Sequence, residues 1–165
     1  MDATPKTITF NVTPMPEVYI GTTGNDTMVG TRDPDTFYGL AGNDTINGGG
    51  GADRMVGSTG NDIYYVDHAR DAPVEYARQG VDSVRSVISW TLGANLENLL
   101  LSGTAPLRGT GNSLANVLVG NAGANTLMGL GGNDTLRGGD GRDILNGGAG
   151  RDVLSGGRHA DVFIF

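Results

Sequence analysis

Cysteine is absent from this sequence of 165 residues, and basic residues and long apolar runs are scarce. Without cysteine the chain can form neither a disulfide framework nor a thiolate metal site. Lys and Arg number 11 against 18 Asp and Glu, and the net charge of -7 leaves no basic patch for nucleic acid. No stretch reaches the ~18 apolar residues that a membrane span needs. The chain is therefore expected to bind neither nucleic acid nor a bilayer core, and its acidity favours cations.

A Sec-type signal peptide is not expected, and common enzyme signatures are missing from the sequence. Residues 1–11 have neither the basic start nor the apolar run of a Sec-type signal peptide. There is no Gly-x-Ser-x-Gly elbow, no His-Glu-x-x-His pair and no EF-hand loop. His68 and His159 have no second His or Cys at metal spacing and are expected to be surface or turn residues. We predict no catalytic residues and no enzymatic activity of the chain itself.

Glycine, in contrast, supplies 29 residues, and most of them fall in a nine-residue repeat. The repeat reads Gly-x-x-Gly-x-Asp-x-apolar-x and runs through residues 21–65 and again through 120–164. A glycine-rich half-turn followed by three residues with a central apolar side chain is typical of a parallel β-roll whose turns bind Ca²⁺. The fold class predicted is all-β, a right-handed parallel β-roll (a β-solenoid) with two nonapeptide blocks joined by a degenerate β segment. The predicted calcium ligands are the sixth-position aspartates Asp26, Asp35, Asp44, Asp53, Asp62, Asp134, Asp143, Asp152 and Asp161.

The repeat divides the chain into four parts. Residues 1–20 form a leading segment with a short strand at 7–12, residues 21–67 a first block, residues 68–110 a connector, and residues 111–165 a second block. The connector lacks the nonapeptide but alternates apolar residues, with Val84, Ile88, Trp90 and Leu92 on one face. It is too short to bury a core of its own, so we interpret it as a continuation of the sheet stack. A helix is expected only around residues 73–79.

The period of the repeat predicts how the aspartates stack. Two nonapeptides make one turn, so each residue lies about 4.8 Å from its counterpart two units later. The carboxylates of Asp26, Asp44 and Asp62 are expected on one side, and those of Asp35 and Asp53 on the other. Like charges at that spacing repel by roughly 1 to 4 kcal/mol per pair, and a bound Ca²⁺ reverses the sign. The inward apolar side chains are expected to be Met28, Phe37, Ile46, Met55, Tyr64, Leu118, Leu127, Leu136, Leu145, Leu154 and Phe163.

The best-preserved unit, residues 147–155 with sequence GGAGRDVLS, resembles the repeats-in-toxin (RTX) family, also called hemolysin-type calcium-binding repeats. The connector resembles a segment that joins such blocks in many secreted bacterial proteins. The resemblance implies a secreted, extracellular protein that leaves by type I secretion and folds outside, where calcium is plentiful. It assigns the ligand role to the sixth-position aspartates together with carbonyls of the glycine-rich half-turn. Weaker sites are expected where the repeat departs from the family pattern, at Asp33-Pro34, Asn116 and Asn125, whereas His159 is expected to preserve its turn because His tolerates positive φ.

Three roles are compatible with calcium binding, and the sequence leaves them open. The first is an export and folding module that supports type I secretion and stabilises itself or a parent protein, such as a secreted hydrolase, lyase or epimerase. The second is an adhesin-like module that binds extracellular polysaccharide or a cell surface. Trp90 and the tyrosines Tyr64, Tyr65 and Tyr76 are expected to serve strand packing rather than sugar stacking. A threonine array that binds ice is a weaker third possibility, because Thr follows Asp in only some units.

Overall fold

The structure of the protein is a computed structural model that describes residues 15–165. The strand predicted at residues 7–12 lies outside the described residues. Within them the chain forms seventeen short strands and no helix, and every strand pair is parallel. The described residues form no helix that is long and apolar enough to cross a membrane. The predicted all-β parallel solenoid is therefore confirmed.

Successive strands alternate between two sides of the solenoid, as expected when each nonapeptide forms half a turn. One side is a single sheet of eight strands: β2 (Thr27–Val29), β4 (Thr45–Asn47), β6 (Ile63–Val66), β8 (Ser83–Ser86), β10 (Asn98–Leu101), β12 (Val117–Val119), β14 (Thr135–Asp140) and β16 (Val153–Arg158). The opposite side begins with a sheet of four strands: β1 (Val18–Ile20), β3 (Thr36–Ala41), β5 (Arg54–Thr59) and β7 (Ala72–Val74). It continues with a sheet of five: β9 (Trp90–Thr91), β11 (Arg108–Thr110), β13 (Thr126–Met128), β15 (Ile144–Asn146) and β17 (Val162–Ile164).

The register of the strands confirms two nonapeptides per turn in both blocks. Met28 pairs with Ile46, eighteen residues later, and Leu136 pairs in the same way with Leu154. In the connector the turns have other lengths, since Tyr64 pairs with Val84 and Val84 pairs with Leu99. The eight-stranded sheet nevertheless runs through the connector without a break, because β8 and β10 pair with each other and with the blocks on either side. Changes of turn length are absorbed in the loops.

A single column of apolar side chains forms the core between the two sides. In most strands the central residue is buried and its neighbours are not, which is the period-two pattern of a pleated strand. The fully buried members include the predicted Phe37, Ile46, Met55, Tyr64, Leu118, Leu127, Leu136 and Leu145, joined by Val84 and Leu99 of the connector. Each contributes about 1.5 to 3 kcal/mol when buried, so the column is continuous but thin.

Three expectations about packing need correction or refinement. Phe163, predicted to face the core, is 40 % exposed, because β17 is an edge strand with a neighbour on one side only. Leu154 is only partly buried near the same end. The expected helix at residues 73–79 is absent, since Pro73 and Val74 continue the register of Met55 and Val56 as part of β7. Proline is tolerated there because β7 is the edge strand of its sheet.

Candidate metal sites

The sixth-position residues of the repeat form two ladders along the solenoid. In the row that precedes the eight-stranded sheet, the backbone N–H of Asp26 donates to Oδ1 of Asp44 at 2.8 Å, and that of Asp44 donates to Oδ1 of Asp62 at 2.7 Å. In the opposite row Asp35 donates to Asp53 in the same manner, at 2.9 Å. The second block repeats the pattern, from Asp134 to Asp152 at 2.9 Å and from Asp143 to Asp161 at 3.0 Å. The structure thus places all nine predicted residues in the two expected rows, and most of them use one oxygen to bind the turn before.

Both rows extend into the connector, where no site residues were predicted. Asp62 donates its N–H to Asp82 at 2.7 Å, and Asp82 donates to Oε2 of Glu97 at 2.8 Å. In the other row Asp53 donates to Asp71 at 3.1 Å. Each of the three acceptors lies two places before the second residue of a strand, as in Asp82-Ser83-Val84 and Glu97-Asn98-Leu99. The spacing of an acidic residue two places before an inward apolar residue is therefore the sequence signal that could have revealed the rows in the connector. This signal does not require the glycines of the nonapeptide.

The loops fall into two classes, and the first class caps its own aspartate or asparagine. In the loop before β2 the N–H of Thr22 donates to Oδ2 of Asp26 at 2.6 Å, while Oγ1 of Thr22 accepts the N–H of Gly24 at 3.1 Å. The same pair of bonds recurs in the three loops that begin at residues 30, 111 and 120, with Thr31, Asn112 or Asn121 at the second position. These four capped loops are the first two loops of each block. In them the protein itself supplies a donor to the oxygen that faces the loop.

The second class of loop leaves that oxygen without a partner. In the loops that begin at residues 39, 48, 57, 129, 138, 147 and 156, the second residue has positive φ. Within residues 15–165, no hydrogen-bond donor reaches Oδ2 of Asp44, Asp53, Asp62, Asp134 or Asp143, and each of these side chains is buried. Leaving such a group unsatisfied costs about 1 to 3 kcal/mol, and more when it is charged. Five of the seven open loops therefore contain a buried carboxylate oxygen that a proton or a cation could satisfy.

The open loops that begin at residues 39, 129 and 138 also bring a carbonyl oxygen close to the unpaired carboxylate oxygen. A Cβ placed on Gly39 would overlap Oδ2 of Asp44 and lie 2.8 Å from the carbonyl oxygen of Gly57, one turn later. A Cβ on Gly129 would meet Asp134 and the carbonyl of Gly147 in the same way. The first glycine of the repeat thus allows oxygens of two successive turns to line the start of the loop, and it does so in capped loops as well, as at Gly21. Such a lining fits a hard cation, which prefers carboxylate and carbonyl oxygens.

The turn geometry at the fourth position confirms one expectation about the departures from the repeat. His159 stands where Gly150 stands in the preceding unit, and both residues have positive φ, 80° and 144° respectively. His tolerates this region better than most residues, so its turn is preserved. At Asp33-Pro34 and at Asn116 and Asn125 the loops belong to the capped class. The three departures expected to weaken a site therefore coincide with loops whose inner oxygen already has a donor.

The electrostatics of the rows are dominated by negative charge. Burial raises the pKa of Asp53 to about 6, and the neighbouring carboxylates of Asp71 and Asp35 raise it as well, against a hydrogen bond that lowers it. Burial likewise raises the pKa of Asp44, Asp62, Asp134 and Asp143. In the described part of the chain the one ion pair joins Arg158 to Asp140 at 3.8 Å, outside both rows. No arginine or lysine in the described residues neutralises the carboxylates of the rows, so a divalent cation could supply the missing positive charge.

A parallel β-solenoid with glycine-rich loops and two rows of buried, unneutralised carboxylates belongs to the class of metal-binding repeat proteins. The RTX calcium-binding nonapeptide repeat matches the chain in four copies, at residues 20–55, 29–64, 110–145 and 137–165. These copies cover more than half of the chain, which therefore belongs to the RTX calcium-binding repeat family. No curated protein matches the chain. The match leaves out most of the connector, where the rows continue through Asp71, Asp82 and Glu97.

Proposed function

We propose that the chain binds several calcium ions in its open loops and that this binding drives the solenoid to fold. The proposed ligands are the sixth-position aspartates together with carbonyl oxygens of the next turn, such as that of Gly57 beside Asp44. The full set is Asp26, Asp35, Asp44, Asp53, Asp62, Asp134, Asp143, Asp152 and Asp161. Among these, Asp26 and Asp35 lie in capped loops, so they are expected to contribute least.

The observation that carries the proposal is the set of buried Oδ2 atoms without donors in the described residues, at Asp44, Asp53, Asp62, Asp134 and Asp143. A roll that holds them must either take up protons or bind cations, because an unpaired buried charge costs several kcal/mol. Each bound ion adds RT ln(1 + [Ca]/Kd), about 2.7 kcal/mol at a hundredfold excess. The thin apolar column contributes little free energy beyond what folding costs, so ion binding and folding are expected to form one equilibrium.

From this equilibrium we propose the biological role. A chain that folds only when calcium is abundant stays unfolded at the low calcium of a cytosol and becomes ordered outside the cell. This behaviour suits a secreted, extracellular protein that passes unfolded through a type I secretion system. The module would then stabilise itself or a parent protein, and the proposal includes no catalytic role for the chain.

The test is far-ultraviolet circular dichroism of the full chain during a titration from chelator to about 10 mM Ca²⁺, with Mg²⁺ as the control ion. The expected result is a cooperative change from coil to β structure with Ca²⁺ and none with Mg²⁺ over the same range. A complete β spectrum in chelator, unchanged by Ca²⁺, would show that packing alone suffices and would overturn the proposed mechanism.

One groove on the eight-stranded sheet favours the second role, binding of extracellular polysaccharide. It is lined by Asn47, Tyr65, Asp67, Arg85 and Ser102, which combine an aromatic ring with hydrogen-bonding groups. Against this role, the guanidinium of Arg85 lies 5.7 Å from the centre of the Tyr65 ring and covers one of its faces. A glycan array with the wild type and Tyr65→Ala tests this role. Saturable binding of a glycan by the wild type that is lost in Tyr65→Ala supports the role. If the wild type binds no glycan on the array, the role is excluded for the glycans tested.

A further inference from the structure

Three buried carboxylates meet where the first block joins the connector. Asp62 belongs to the last open loop of the first block, before β6, and Asp82 precedes β8 one turn later. Glu75 comes from neither row; it follows β7 on the opposite side, and its carbonyl accepts a hydrogen bond from Nδ2 of Asn95 at 3.0 Å. One carboxylate oxygen from each of the three lies within 4.8 Å of the others. The side chain of Glu75 therefore extends from the opposite side of the solenoid toward Asp62 and Asp82, which are successive residues of the row before the eight-stranded sheet.

The hydrogen bonds of this cluster leave oxygens free at its centre. Asp44 and Asp62 donate to Oδ1 of Asp62 and Asp82 respectively, and the hydroxyl of Tyr64 donates to Oε1 of Glu75. In the part of the chain that the structure describes, Oδ2 of Asp62 and Oε2 of Glu75 have no partner, and these side chains are 1 % and 5 % exposed. A Cβ on Gly57 would overlap Asp62 Oδ2, Tyr64 Oη and Glu75 Oε1 together, so these atoms surround one point.

The charge and the spacing of the cluster fit a cation. No arginine or lysine of the described residues pairs with any of the three carboxylates, so up to three negative charges share one buried place. Ca²⁺ binds oxygens at about 2.3 to 2.6 Å, so two oxygens on opposite sides of one ion are about 5 Å apart. The separations of at most 4.8 Å satisfy this limit for all three groups. Ca²⁺ also accepts irregular oxygen sets, whereas Mg²⁺ demands a near-ideal octahedron and retains waters.

We propose that Asp62, Glu75 and Asp82 bind a calcium ion that fastens the connector to the end of the first block. Unlike the sites of the repeat, this one takes a ligand from outside the nonapeptide and from the opposite wall. It uses Asp62, which is also a ligand in the proposed function, and it rests on the calcium binding proposed there. An ion at this position links β6, β7 and β8, which are the strands around the first change of turn length.

Native mass spectrometry of the full chain in calcium counts the bound ions and separates this proposal from the wider one. Glu75→Gln keeps the acceptor for Tyr64 but removes the charge, and the expected result is one ion fewer than in the wild type. Asp82→Asn is expected to lose the same ion, whereas Asp140→Asn, at an exposed carboxylate outside the rows, is expected to lose none. An unchanged count in both Glu75→Gln and Asp82→Asn overturns the proposal while leaving the repeat sites intact. A wild type that binds no calcium overturns both proposals.

A second measurement decides the question if Glu75→Gln fails to fold. Terbium occupies calcium sites and emits when a nearby tyrosine is excited, with a transfer that falls steeply with distance. Tyr64→Phe removes the hydroxyl beside the proposed ion and is expected to lose at least half of the tyrosine-excited terbium emission. Tyr19→Phe, at a tyrosine in β1, three strands away from β7 in the same sheet, is the control and is expected to change it little. Equal emission from the two variants contradicts an ion beside Glu75.

Discussion

Asp44→Asn tests whether an open loop depends on calcium, and Asp26→Asn is its matched control one turn earlier. Both aspartates lie in the same row, but only Asp26 has a donor to Oδ2, the N–H of Thr22. Asparagine already occupies the equivalent place in the capped loops of the second block, as Asn116 and Asn125. The control substitution therefore reproduces an arrangement that the chain itself uses, whereas Asp44→Asn removes a charge from a loop whose buried Oδ2 has no donor among the described residues.

The size of the effect follows from linkage between ions and folding. Losing one ion removes about 2.7 kcal/mol at a hundredfold excess of calcium over Kd. If about four other ions remain, each tenfold rise in free calcium returns about 1.4 kcal/mol per ion. The midpoint of folding is then expected to rise roughly threefold in Asp44→Asn. The carboxylate oxygen that accepts the N–H of Asp26 is replaced by an amide oxygen, so the ladder itself can persist.

The assay is the calcium titration followed by circular dichroism, with all three proteins at one concentration and ionic strength. Asp26→Asn is expected to shift the midpoint less than twofold, since its loop is satisfied by protein donors. A shift of the same size in both variants would refute the division into capped and open loops. No shift in either variant would refute the assignment of the row to calcium.

Two further predictions concern the metal-free chain and the strained loops. In chelator, acidification from about pH 7 to about pH 4 should increase β structure in circular dichroism, because burial raises the pKa of Asp53 and Asp82 to about 6 and that of Glu75 to about 7. Because these pKa values are higher in the folded chain, it binds more protons than the unfolded chain on acidification. The stability gained from this proton binding is complete below the ordinary carboxyl pKa and is lost as the pH rises through 6 to 7. A loss of β structure on acidification would contradict the prediction. In saturating calcium, Leu130→Gly should raise the free energy of urea unfolding by about 0.5 to 1 kcal/mol, because Leu130 has a φ of 77° and is 46 % exposed. Leu114→Gly, at a residue without positive φ, should lower that free energy by a similar amount, and a decrease in both variants would count against strain at Leu130.

Much of the fold could be predicted because the period of the repeat fixes the geometry directly. A nonapeptide with one inward residue sets the pairing of Met28 with Ile46 and the order of the two aspartate rows. The position of β7 could not be predicted in this way. Local composition around Pro73 suggested a helix, but pairing with Met55 on the neighbouring turn decided the conformation. The exposure of Phe163 likewise depends on its neighbours in space, since its position within the repeat is that of a core residue.

The positions of the candidate ligands could be predicted from the sequence, but the two kinds of loop could not. The distinction lies at the second position, where Thr22 and Asn112 cap the loop with side-chain oxygens and Leu40 and Gly49 take positive φ. Nothing in the aspartates themselves records it. Glu75 was missed for a different reason: it lies on the opposite wall from Asp62 and outside the nonapeptide, so their contact is one that no periodicity encodes.

The distribution of the two loop classes suggests where metal dependence begins along the chain. Each block starts with two capped loops, whose polar groups are satisfied by Thr22, Thr31, Asn112 and Asn121, and only then continues with open loops. A capped loop can form a turn without an ion, because its carboxylate or amide oxygen already accepts an N–H. The open loops that stack on a capped loop can take their strand register from it, but they contain the unpaired oxygens. We therefore expect calcium to be needed to extend each block rather than to start it, so the cost of removing the ion should appear at Asp44 and not at Asp26.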